Sequence, residues 1–160
     1  MPEPLAVYLH DHLAGSRLAI ELLDSLCGNY PDHDTGRLAA EVLKEIFEDR
    51  AVLEHLIERV GSGRPDLKDA AAWLAEKASR AKLQQDRPTG LGVYEAFEAL
   101  KLGIQGKLAL WQALDAIAAQ DSRLAGVNYR DLAARAQSQY ERVDGYWRQL
   151  VPTALLSNTA

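Results

Sequence analysis

Apolar residues recur along this chain at spacings of three and four, the period of a helix that turns one face inward. The first stripe reads Leu5, Tyr8, Leu9, then His12 and Ser16, then Ala19, Leu23 and Leu26. Pro2 and Pro4 stand where prolines open helices, and Gly28, Asn29 and Pro31 supply a stop, so a helix is predicted over about residues 5–27. A second stripe, Ala39, Val42, Leu43, Ile46, then Asp49 and Arg50, then Leu53, Leu56, Ile57 and Val60, predicts a helix over about 36–60. Asp32, Asp34 and Thr35 offer its N-cap, and Gly61 and Gly63 end it. A shorter helix over about 66–85 has an apolar edge of Ala70, Ala71, Trp73, Leu74 and Ala78. It reads as a peripheral element outside a bundle.

The third long stripe, Val93, Phe97, Leu100, Ile104, Trp111, Leu114 and Ala118, predicts a helix over about 91–119. Lys107 falls on it, between Ile104 and Trp111. Burying an unpaired ammonium costs several kcal/mol or more, so Lys107 either reaches out to water or meets a polar partner inside. The last stripe, Tyr129, Leu132, Ala133, Ala136, Tyr140, Val143, Trp147 and Leu150, predicts a helix over about 129–150, capped by Asn128 and ended by Pro152. No strand pattern or internal repeat interrupts this sequence. Short loops join the first two and the last two long helices, which makes each pair antiparallel. A long connection joins the pairs, which lets the chain cross the bundle.

Folding each pair about its turn sets a level. His12 comes beside Ala51, near Asp49 and Arg50, and Lys107 faces Gln139 and Tyr140. Three stripes therefore break at mid-height. The expectation is one buried polar layer of His12, Ser16, Glu48, Asp49, Arg50, Lys107 and Tyr140, tolerable only if every member is satisfied. The alternative is helical phase drift that turns some of these side chains to water. Gly103 and Gly106, inside the third helix, would permit a close approach by a helix or ligand near Lys107.

At 160 residues, with 48% hydrophobic and 26% charged positions, the chain fits one domain, 1–160, with a core of its own. A net charge of -5 without a basic block argues against nucleic acid as partner. No apolar run reaches the roughly 18–20 residues that span a bilayer, so no membrane partner is expected. The start lacks a secretory pattern, and the chain reads as cytoplasmic. The single Cys27 makes no disulfide within the chain and no thiolate cluster, and reads as a packing residue. The tryptophans read as core, or as a dimer surface if they gather on one face.

YLHDHLAG (8–15), EIFEDR (45–50) and LGIQGKLALW (102–111), on four helices with one long crossover, resemble a bacterial branch of the ferritin-like superfamily. The resemblance implies an all-α, ferritin-like up-down four-helix bundle whose long crossover carries an extra short helix. Metal-binding members place a Glu on two helices and a Glu-x-x-His on the other two, all facing inward. Here Glu48 is followed three residues on by Ala51 and Glu141 by Asp144, and His10, His33 and His55 complete no such pair. An ammonium at position 107 would also repel cations. No catalytic residue, metal or cofactor is therefore expected; if iron bound, His12, Glu48 and Asp49 would hold it. The expected function is a non-catalytic structural or interaction module, working as a homodimer. The alternative is an iron-binding oxidoreductase, storage or stress protein with a diverged site. A small anionic ligand between His12, Arg50 and Lys107 is a third reading.

Overall fold

Four long helices follow from the four stripes. The computed structural model describes Met1, residues 3–61, Glu76 and residues 87–157. Within them lie α1 (Pro4–Asn29), α2 (Asp34–Val60), α3 (Leu91–Ile117) and α4 (Tyr129–Leu155), with a short 3-10 turn (Ser122–Leu124) before α4. No strand occurs among the described residues, and no described helix is long and apolar enough to cross a membrane. The short helix expected over 66–85 lies outside the described residues, Glu76 apart.

The core comes in two blocks, and their membership fixes the helix directions. One block joins Leu23 and Leu26 from late α1, Val42 from early α2, Val93 and Phe97 from early α3, and Val143 and Leu150 from late α4. The other joins Leu9 from early α1, Leu56 from late α2, Trp111 and Leu114 from late α3, and Tyr129 from early α4. So α2 and α3 run parallel, and α1 and α4 run against them. The end of α2 and the start of α3 therefore lie at opposite ends of the bundle, about 40 Å apart for a 27-residue helix. The expected long crossover between them falls mostly outside the described residues. Helix α1 packs on α2 and α3, and α4 packs on α3 and α2, so α2 and α3 face each other across a diagonal.

Four helix ends differ from expectation by two residues or more, α1 by running on to Asn29. Helix α2 begins at Asp34, not Gly36, and its cap is His33, whose Nδ1 accepts from the Thr35 amide at 3.1 Å. Thr35 is buried and turned inward instead: its Oγ1 donates to the Pro88 carbonyl at 2.7 Å and accepts from the Tyr146 hydroxyl at 2.6 Å. That knot ties the starts of α2 and α3 to the end of α4. Helix α3 stops at Ile117, one half-turn early. Helix α4 runs through Pro152 to Leu155. A proline this close to the end forfeits one main-chain bond, and the Thr153 hydroxyl donates to the Leu150 carbonyl at 3.1 Å beside it. Asn128 caps α4 as predicted, accepting from the Asp131 amide at 3.1 Å.

Candidate functional site

Between the two core blocks, each of three helices spends an inward position on a polar side chain. On α2 Asp49 lies between Ile46 and Leu53; on α3 Lys107 lies between Ile104 and Leu110; on α4 Gln139 lies between Ala136 and Val143. Asp49 is 2% exposed and Gln139 is fully buried. The Lys107 stem spans the diagonal from α3. Its Nζ donates to Asp49 Oδ2 at 2.5 Å and to Gln139 Oε1. Gln139 Nε2 in turn donates to the same Asp49 oxygen at 3.2 Å. The amide thus bridges the two charges, offering its oxygen to the cation and its nitrogen to the anion.

The charges continue outward between α2 and α4. Arg135 Nε lies 3.4 Å from Asp49 Oδ1, while its Nη2 donates to Glu48 Oε2 at 2.6 Å and to the Glu45 carbonyl at 3.0 Å. Arg142 Nη2 donates to Glu45 Oε2 at 2.6 Å. The groove these residues line also carries Glu41, Lys44 and Ser138. Burial pushes the Lys107 ammonium below its usual range, and neighbouring Asp49 pulls the other way. Burial also opposes the charge of Arg135, yet Glu48, Asp49 and Glu45 hold it above its usual range.

Of the seven residues expected in the layer, Asp49 and Lys107 meet directly, and Glu48 joins through Arg135. The others stand apart. Arg50 turns along its own helix to Glu54, at 3.0 Å. The Ser16 hydroxyl donates to the Leu13 carbonyl at 2.6 Å, within α1. His12 meets Tyr8 edge to face, with ring centroids 4.7 Å apart, and burial lowers its pKa against the pull of Asp11. Tyr140 packs on the first core block, with Lys101 Nζ 5.8 Å from its ring centre. A shared level along the bundle does not fix azimuth. Gln139 and Arg135 took the places instead. Gln139 had a signal: it stands three residues after Ala136 and four before Val143, on the inward stripe.

A Cβ at Gly103 or Gly106 would meet no atom within 4 Å among the described residues, so the space beside them that the sequence permits is open there. The tight position is Gly36, where a Cβ would fall 1.8 Å from the Tyr30 carbonyl oxygen.

A second ion pair, not foreseen, joins α3 and α4 on the outer side. Lys101 Nζ lies 2.6 Å from Asp144 Oδ1 and 3.6 Å from the centre of the Trp147 ring, which stacks on Tyr94. Arg148 Nε donates to Asp144 Oδ2 at 2.8 Å. Hydrogen bonds from Lys101 and Arg148 hold the Asp144 carboxyl below its usual range. Trp111 is buried in the second core block, while Trp147 is only partly covered, so these two tryptophans form no common face. Cys27 is a free thiol, partly buried, and burial raises its pKa.

The residues named for a metal do not assemble. Asp49 Oδ2 accepts from Lys107 and Gln139, Glu48 faces Arg135, and His12 sits against Tyr8. Among the described residues no three His, Cys, Asp or Glu side chains converge as a metal site. The cations proposed around an anion are likewise engaged, Arg50 by Glu54 and Lys107 by Asp49. What the central arrangement does chemically is neutralise itself. No protein-family model, curated protein or solved structure matches this chain.

Proposed function

We propose that this chain is a ferritin-like bundle that serves as a non-catalytic structural or interaction module inside the cell, as a homodimer. In this reading the Lys107 ammonium supplies, at the centre of the bundle, the positive charge that a metal centre supplies in the metal-binding members. One observation carries the proposal: Lys107 Nζ sits between Asp49 and Gln139, so that Asp49 Oδ2 and Gln139 Oε1 are already engaged, while Asp49 Oδ1 faces the Arg135 guanidinium at 3.4 Å. A cation entering there would have to displace a paired ammonium and would face the charge of Arg135 as well. The up-down-down-up course of the four described helices supports the architectural part of the proposal.

The test is metal uptake. Protein purified without chelator is assayed for bound metal, then given ferrous iron anaerobically, then oxygen. The expected result is no stoichiometric iron and no oxidation signal beyond buffer. Stoichiometric iron with an absorbance change on oxygenation, both lost in Asp49→Ala, would overturn the proposal and favour a diverged oxidoreductase or storage protein.

A further inference from the structure

The outward face of α2 combines an apolar centre with unused charge. Phe47 is the central residue of this 27-residue helix, and it is 51% exposed. Ala40 and Ala51, seven before and four after it, are exposed on the same side, and Leu43 is half-covered beside them. Along one flank of that stripe run Lys44 and Glu48, both exposed. Lys44 makes no ion pair among the described residues. A phenylalanine at the midpoint of an outward helix face, with a lysine and a glutamate four residues apart on one flank, is a self-complementary pattern.

We infer that α2 is the face on which a second copy of this chain docks, antiparallel, about a two-fold axis at Phe47. The inference rests on the reading of the chain as an interaction module. In a two-fold contact the same patch meets itself, so each residue finds its partner by reflection about the centre. Phe47 then meets Phe47 of the other copy, and Leu43 comes opposite Ala51. The axis leaves each flank beside its own equivalent. Lys44 of one copy therefore falls beside Glu48 of the other, about 3 Å apart along the axis at ~1.5 Å per residue, and the pair forms twice. Glu48 keeps Arg135 on its inner side and is still half-exposed, so it has an oxygen to offer outward.

Area sets the strength. A helix of this length and a strip ~10 Å wide cover on the order of 400 Å² per copy. The total falls below the roughly 1,200 Å² at which stable interfaces begin. The dimer is therefore weak and concentration-dependent, and its two exposed ion pairs make it weaken with salt.

Cysteine cross-linking of the full chain, in a Cys27→Ser background, tests the axis. A cysteine at the centre (Phe47→Cys) is expected to oxidise rapidly to a covalent dimer, because a disulfide needs Cβ atoms about 4 Å apart. One at the edge (Ala40→Cys) is expected not to, since the two copies of that position stand ~21 Å apart along the helices. Sedimentation equilibrium of the wild type is expected to show a monomer–dimer equilibrium, with dissociation raised at least about tenfold by Phe47→Glu. Position 47 is exposed, and unchanged urea midpoints for these variants confirm intact folds. Equal cross-linking at both positions, or a dimer indifferent to Phe47→Glu, would overturn the inferred face. A monomer at every concentration that takes up no iron would overturn it too, together with the homodimer, while leaving in place the reading of a metal-free structural module.

Discussion

Replacing Lys107 with methionine isolates the central charge. Methionine keeps the length and flexibility of the stem but donates no hydrogen bond. The Lys107 side chain is 15% exposed and that of Asp49 3%, so the pair is close to fully desolvated. Lys107→Met leaves Asp49 Oδ2 with one donor, the Gln139 amide at 3.2 Å, and leaves Oδ1 facing Arg135 at 3.4 Å. Removing one partner of a buried pair costs about 3–5 kcal/mol. Arg135 remains to screen the carboxylate, and the burial penalty on Lys107 disappears, so the lower end, about 3 kcal/mol, is expected. Removing Asp49 as well (Lys107→Met with Asp49→Leu) withdraws the stranded charge but leaves the Gln139 amide without either partner, which costs about 1–3 kcal/mol. Adding Gln139→Leu removes that penalty too. The triple variant is then expected within about 1 kcal/mol of the wild type, or above it, as apolar replacements of buried ion pairs can be. The assay is equilibrium urea unfolding at neutral pH, comparing midpoints at constant slope. A single variant within about 0.5 kcal/mol of the wild type, the range of an ordinary surface substitution, would refute the reasoning.

Other consequences follow from the same geometry. Burial lowers the His12 pKa below its usual 6.5, so the unfolded chain binds that proton more readily. Its contribution is fully present above pH 6.5 and is lost as pH falls toward the folded value, and His12→Gln is expected to flatten thermal melting between about pH 7 and 5. Asp121 is held at about 2, below its usual 3.8, by hydrogen bonds from the Arg123 side chain and amide. Its contribution is present above pH 3.8 and fades as pH falls toward about 2; acid titration of Asp121→Asn by circular dichroism is expected to lack that component. Gly36→Ala forces a Cβ to within 1.8 Å of the Tyr30 carbonyl oxygen, and urea unfolding is expected to show a loss of about 1–3 kcal/mol or more. Gly103→Ala, in open space inside a helix, is expected to gain up to about 1 kcal/mol in the same assay, and a loss there would show a neighbour the geometry lacks.

The helices and their order were legible because each stripe carries its own period and each turn its own stop. Val42, Phe97, Leu114 and Val143 announce their faces without help from the rest of the chain. The height of the polar break was legible too, since antiparallel folding about a short loop converts sequence position into level. The partners of Lys107 were harder. Tyr140 and Gln139 are adjacent in sequence but about 100° apart around α4, and a tyrosine fits an apolar stripe better than a glutamine does. The buried glutamine won because it alone offers an acceptor to Lys107 and a donor to Asp49. Arg135 was invisible for a different reason: it enters from the flank of α4, where burial follows from how closely α2 lies, and no period encodes that. His33 as a cap also escaped notice, because Asp and Thr beside it are the commoner caps.

The central cluster has a second consequence, for register. A slide of α3 by one turn, about 5.4 Å, would carry Lys107 away and bring Ile104 or Trp111 against the Asp49 carboxylate. Neither offers the ammonium that Asp49 needs, so the slipped bundle would strand a buried charge. Apolar core positions do not discriminate in this way, since Leu, Ile and Val replace one another across a turn at little cost. Lys107, Asp49 and Gln139 come from three helices and bond only when all three stand at one height. The cluster therefore selects one arrangement, even where it adds little net stability. The triple apolar variant separates these two effects. It is expected to match the wild type in urea midpoint while losing near-UV circular dichroism and amide dispersion in NMR, the marks of a core that no longer has a single packing. A triple variant that keeps both signals at full strength would show that the two apolar blocks set the register without the charges between them.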